Sequence, residues 1–241
     1  MPTFSRQDSM PEHFTQDEIQ TLPALFGTPR FARYLTATES RSEHGASHTA
    51  RALALYRWNG QVAAAMLFPL NMLEVVLRNA IADALASTYG PSWPLSRQLL
   101  ISLPNPQHRY SQRKDLEAIT ARYPNNTGQV IAELAFVFWV EMLNTRHDGR
   151  IWEHHLRPQF PHTPTRLTVQ DARRRLHAMA EEGRRLRNRI AHHEPIFPRN
   201  LAADYETIRT LIAWRSPVAA AWLDRTQTVT ALLQQRSETA P

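Results

Sequence analysis

The chain has 241 residues, 42% of them hydrophobic, with seven glycines, no cysteine and a formal net charge of +6. The missing cysteines exclude disulfides, thiolate metal sites and cysteine nucleophiles, and few glycines with few β-branched clusters argue against a sheet protein. The positive balance is almost wholly arginine, Lys114 being the single lysine, and it suits a polyanionic partner because guanidinium groups bind phosphate and stack on bases.

Residues 1–14 are polar without an apolar run, so a flexible segment and no signal peptide are expected there. Residues 15–236 read as one helical domain and 237–241 as a frayed tail. Thr15-Gln16-Asp17-Glu18 has capping-box form and opens a short helix toward Phe26. Thr28-Pro29 opens a second helix carrying Phe31, Tyr34 and Leu35, and 39–48 reads as a polar loop. From 49 to 89 the pattern is helical, with Gly60 or Pro69 as a break or kink. Leu67, Leu70, Leu73, Val76, Leu77, Ile81 and Leu85 make its apolar face, and Glu74 with Arg78 has ion-pair spacing.

Gly90 to Pro94 ends that helix, and 103–107 is a second proline-bearing connection. An exposed helix spans 111–123. Pro124-Asn125-Asn126 is a turn, after which Thr127 caps a helix over 128–143 with Val130, Leu134, Val137, Phe138 and Met142 in the core. Residues 130–140 are the most apolar stretch, yet too short to cross a bilayer and interrupted by Glu133. A cytoplasmic protein with no membrane contact is therefore expected. Glu133 on this apolar helix is expected to pair with an arginine.

A short helix covers 148–156 and a loop 158–164. His154-His155 and His192-His193 are adjacent pairs that diverge on a helix and lack acidic companions, so no metal is expected. No glycine-rich phosphate loop is present, and no cofactor is expected. Past residue 195, a helix runs over 201–214, Ser216-Pro217 opens another, and a last one ends near Gln235.

A long amphipathic run begins at Thr168, capped with Asp171 three residues on. Val169, Ala172, Leu176, Met179, Gly183, Leu186 and Ile190 recur at spacings of 3 and 4, the stripe of a helix packed on one side. Pro195 disfavours helical geometry at Glu194, which sets the expected end. Arg184, Arg187, Asn188, His192, His193 and Glu194 thus fall on the last turns of a core helix. Such a set suits metal-independent cleavage of RNA. Histidine can take or give a proton near pH 7. A planar arginine fork can hold the charge of a phosphorane-like transition state. Asn188 can donate and accept, so it can orient His192 or the ribose. Chance alone predicts about one Arg-x4-His pair in such a composition; Arg150/His155 and Arg157/His162 share the spacing. What distinguishes Arg187/His192 is the asparagine beside the arginine and the end of a core helix.

The block Leu186-Arg187-Asn188-Arg189-Ile190-Ala191-His192-His193-Glu194-Pro195-Ile196 resembles the signature of the abortive-infection (Abi-like) family of the HEPN superfamily. Leu55-Tyr56-Arg57-Trp58-Asn59 and Leu73-Glu74-Val75-Val76-Leu77-Arg78-Asn79-Ala80-Ile81 resemble that family's amino-terminal helices. Glu133-Leu134-Ala135-Phe136-Val137-Phe138-Trp139-Val140 resembles its middle helix. The likeness runs from about residue 53 to 223.

The resemblance implies an all-α, HEPN-like helical bundle with extra N- and C-terminal helices. It also implies an endoribonuclease of a bacterial anti-phage or toxin-type system, with Arg187, Asn188 and His192 catalytic. His193, Glu194, Arg184, Arg78, Asn79 and Glu133 are accessory candidates. Expected partners are RNA, a second copy joined through the motif helix, and an antitoxin or other inhibitor. The alternative is a non-catalytic relative that binds RNA, such as a structured regulatory RNA, or a protein partner.

Overall fold

The computed structural model describes residues 14–39 and 47–239. The expected flexible segment before Phe14 and most of the expected 39–48 loop lie outside them. Among the described residues the protein is all-helical, with no strand. The helices are α1 (Gln16–Leu25), α2 (Thr28–Thr38), α3 (His48–Tyr89), α4 (Arg97–Ser102), α5 (Gln112–Arg122), α6 (Thr127–Glu133), α7 (Phe136–Glu141), α8 (Glu153–Gln159), α9 (Val169–Ala191), α10 (Leu201–Arg215), α11 (Pro217–Thr226) and α12 (Val229–Thr239). The chain packs as two units, Met1–Val62 and Ala63–Pro241, with the boundary inside α3.

In the first unit the capping box at Thr15 forms, with the Glu18 amide 3.2 Å from Thr15 Oγ1 and the Thr15 amide 2.7 Å from Glu18 Oε2. Gly27 at φ 85° turns the chain into α2, a backbone conformation that glycine adopts without the penalty a side chain brings. Tyr56 of α3 stacks on Phe26 with centroids 4.2 Å apart and also lies against Phe31 and Tyr34. Burial, and then the nearby Tyr56, push the Tyr34 hydroxyl up to about 12.

In the second unit, Leu70, Leu73, Leu77, Ile81 and Leu85 of α3 are buried, as the apolar pattern predicts. Leu67 is not: it is 49% exposed, and Met66, Ala80 and Ala84 complete the buried face instead. Val76 is half-buried. Neither Gly60 nor Pro69 interrupts the helix. An internal proline costs about 3 kcal/mol, and the apolar face continuing on both sides of it outweighs that. Among the described residues α3 alone is long and apolar enough to cross a membrane by length and composition.

α9 packs against α7, α8 and α10, and Gly183 faces Leu73 and Leu70 of α3. A Cβ there would sit 3.1 Å from Leu73 Cδ2, and Leu73 is fully buried in a close-packed core. Gly183→Ala is therefore expected to lower stability by about 1 kcal/mol in chemical denaturation. Overpacking of about 1–3 kcal/mol exceeds the roughly 1 kcal/mol of helix propensity gained.

The helix expected over 128–143 is two helices. Leu134 and Ala135 adopt extended ψ values of 130° and 149° and separate α6 from α7. The carbonyls around this break are taken up by side chains. Trp139 Nε1 donates to Leu134 at 3.3 Å, Arg78 Nη1 to Ala132 at 3.3 Å, and Gln112 Nε2 to Phe138 at 3.2 Å. Asn126, not Thr127, caps α6. The sequence pattern also gives no hint of α4, a six-residue helix capped by Ser96. The expected 148–156 helix is a π-helical turn, Asp148–Trp152, running into α8. α8 continues through Pro158 to Gln159, into the expected loop.

Candidate functional site

Thr168 caps α9, its Oγ1 accepting from the Asp171 amide at 3.0 Å. Ala172, Leu176, Gly183, Leu186 and Ile190 are buried along one side, while Val169 and Met179 are half-buried. The helix ends at Ala191, three residues before the expected stop. His192 is the C-cap at φ −90°, ψ 10°, and His193 has φ 55°, the one non-glycine residue with positive φ among those described. The His193 amide donates to the Ile190 carbonyl at 2.9 Å and the Glu194 amide to the Arg189 carbonyl at 2.8 Å. These two bonds are those of a Schellman turn. Pro195 excludes helical geometry before it, and the turn delivers Pro195 and Ile196 to buried positions. His192, His193 and Glu194 are left off the helix and exposed.

Glycine normally fills the left-handed position of such a turn, and an L-residue there costs roughly 1–2 kcal/mol. His193→Gly is accordingly expected to stabilise the protein by about 1 kcal/mol, read as a raised midpoint in thermal unfolding. A midpoint unchanged or lowered would mean that the imidazole's own contacts outweigh the backbone strain.

Arg187, Asn188 and His192 are brought together at this helix end. Arg187 is exposed, and its Nη1 lies 3.4 Å from Asn188 Oδ1. The His192 amide donates to the Asn188 carbonyl at 2.9 Å. The other candidates have separate partners. Arg184 makes a two-pronged pair with Glu181 at 2.7 Å on both oxygens. Glu194 is 3.6 Å from Arg189 Nε, an ion pair too long for a hydrogen bond, while Arg189 Nη2 donates to the Pro195 carbonyl at 2.9 Å. Arg78 is committed to the Ala132 carbonyl and forms no ion pair with Glu74 among the described residues. Asn79 is exposed. Glu133 is exposed as well and accepts from Gln129 at 3.0 Å rather than from an arginine. No hydrogen bond or ion pair among the described residues links Arg78, Asn79 or Glu133 to the motif.

A polar stripe that apolar periodicity does not reveal leads into the motif. His177, Glu181, Arg184 and Asn188 are spaced 4, 3 and 4 apart, one face of α9, a signal that the search for apolar periodicity passes over. Glu141 of α7, which packs on α9, acts on His177 and Arg184, and accepts a short hydrogen bond from Asn144. Burial lowers the His177 pKa, opposed by Glu141 and Glu181. Arg184 holds the Glu181 carboxyl below the usual range.

Further along α9 the buried Arg173 grips Asp148, Nε to Oδ1 at 2.8 Å, and donates to the Leu143 carbonyl at 3.2 Å. Next to Asp148, His147 is 3% exposed and its Nε2 has no hydrogen-bond partner. Burial, aided by Arg146 and Arg150, pushes this imidazole down to about 4.

Among the described residues no group of three histidines or carboxylates is placed to hold a metal ion. The C-terminal end of a helix carries a partial negative charge, which opposes phosphate binding. The amides of His193 and Glu194 cover two of the bare carbonyls, and Arg187 brings a full positive charge to the same end. Arg187 and His192 are both exposed at this end. The chain matches no family model, no curated protein and no solved structure.

Proposed function

We propose that the protein is a metal-independent endoribonuclease of the HEPN type, acting in an abortive-infection or toxin-like response of a bacterial cell. The observation that carries this reading is the grouping of Arg187, Asn188 and His192, with Arg187 and His192 exposed, at the Schellman end of α9. His192 takes the proton from a ribose 2′-hydroxyl. The 2′-oxygen attacks phosphorus, Arg187 holds the added negative charge, and the bond to the 5′-oxygen breaks. The leaving oxygen gains its proton from the second His192 of a paired motif helix, as in a homodimer with a composite site. The products are a 2′,3′-cyclic phosphate and a 5′-hydroxyl. Asn188, whose side-chain oxygen lies beside the Arg187 guanidinium, orients that group.

The test is inducible expression of wild type beside His192→Ala and Arg187→Ala, with growth and total RNA followed in each. Growth arrest and discrete RNA fragments are expected from the wild type alone, with cleavage in the variants down by 10²–10⁴-fold, the span of a general acid–base contribution. Equal cleavage by wild type and both variants would end this reading. Intact RNA co-purifying with all three proteins would favour a non-catalytic RNA binder.

A further inference from the structure

Arg189 takes no part in the chemistry set out above, yet it touches the turn after α9 at three points. Its carbonyl accepts the Glu194 amide at 2.8 Å, its Nη2 donates to the Pro195 carbonyl at 2.9 Å, and its Nε lies 3.6 Å from Glu194 Oε2. That Nε is shielded from solvent and has no hydrogen-bond partner, so the Glu194 carboxylate is the charge that faces it. Arg189 does not join Arg187 on one phosphate, because residues two apart diverge by about 200° around a helix. Its guanidinium serves the chain beyond the helix instead.

A Schellman turn ordinarily rests on two devices. One is glycine at the left-handed position. The other is an apolar contact between the residue after it and the helix residue whose carbonyl closes the wider bond. This chain has neither. His193 holds the left-handed position at φ 55°, and the other two positions are Glu194 and Arg189. A strained residue persists only where its surroundings over-determine it. We propose that Arg189 is a positioning residue for His192. Its bond to the Pro195 carbonyl and its pairing with Glu194 stand in for the missing glycine and apolar contact. They hold the strained turn, and with it the histidine that immediately precedes the left-handed residue, at the end of α9.

The role in cleavage rests on the function proposed above, but the turn is tested without RNA, by hydrogen exchange of the full-length protein. Arg189→Met keeps the aliphatic stem and loses the guanidinium. In it the His193 and Glu194 amides are expected to exchange about tenfold faster or more, while those of Leu176 and Ala180 in the middle of α9 keep their rates. A general loss of stability would speed both sets. Adding His193→Gly to Arg189→Met is expected to slow the two turn amides again, because glycine takes the left-handed backbone without a clamp. Turn amides that exchange alike in wild type and Arg189→Met, or no recovery in the double variant, would overturn the proposal. With RNA as substrate, kcat of Arg189→Met is expected to fall by about 10–10²-fold with KM little changed, the loss that follows a misplaced group. Arg189→Lys, whose ammonium serves one partner at a time, is expected to lie between. Faster exchange with an unchanged kcat would also overturn it. A wild-type protein that cleaves no RNA would refute the nuclease reading and leave the clamp to be decided by the exchange rates.

Discussion

Lowering the pH from 7 to 4 is expected to remove about 3 kcal/mol of folding stability through His147 alone. In the native protein this imidazole is buried, without a partner on Nε2, and pushed down to about 4, whereas it titrates at the ordinary 6.5 once unfolded. Between these values the unfolded chain binds a proton that the native chain refuses. The stabilisation is complete above pH 6.5 and is lost as the pH falls toward 4, at a limiting slope of about 1.4 kcal/mol per pH unit. Other carboxylates and histidines titrate over the same range, so the measurement is a difference. Denaturant unfolding at pH 7, 6, 5 and 4 is compared for wild type and His147→Leu. The two should be within about 1 kcal/mol at pH 7, because the variant removes a polar atom that has no partner to orphan. They should diverge as the pH falls, with the variant the more stable at pH 4. Parallel curves would show that the native imidazole takes up its proton over the same pH range as the unfolded one.

Asp148→Ala is expected to cost about 3–5 kcal/mol at neutral pH, the loss that follows when one member of a buried ion pair is removed. Arg173 is 5% exposed. Its guanidinium meets both oxygens of Asp148, at 2.8 and 3.2 Å, and the Leu143 carbonyl. Without the carboxylate, a full positive charge stays in the core against the Leu143 carbonyl. Removing the cation too should relieve most of the penalty, so Asp148→Ala with Arg173→Met is expected to be more stable than Asp148→Ala alone. The double-mutant cycle separates the pair's own contribution from the cost of the stranded charge. If the two single losses simply add, the ion pair is not what holds α9 to the π-helical turn.

What the sequence discloses of this fold depends on how far away the deciding partner is. Caps are legible because a side chain and the amides it serves lie within four residues: Thr15, Thr168 and Ser216 each open the helix expected of them. The α9 core stripe is legible for the same local reason. The break between α6 and α7 is not, because the groups that stabilise it come from Arg78, Gln112 and Trp139, on three different helices. Leu67 shows the opposite error: the apolar stripe of α3 is wider than the surface that covers it. At the motif, the spacing brings Arg187, Asn188 and His192 to one helix end. The end itself is misplaced because a left-handed turn is ordinarily announced by glycine, and here the residue is His193. Glu141 and His177 escape notice because α7 and α9 meet only through tertiary packing.

The α6–α7 junction also has a consequence for how the chain reaches its native state. A helix propagates residue by residue from its own sequence, and α6, with seven residues, is too short to persist alone. The bonds that seal the junction span 54 residues from Arg78 and 26 from Gln112, so they close only after α3 and α5 have docked. Contacts of such sequence separation carry the loop-closure entropy that slows folding. This part of the bundle is therefore held from outside rather than by its own local sequence.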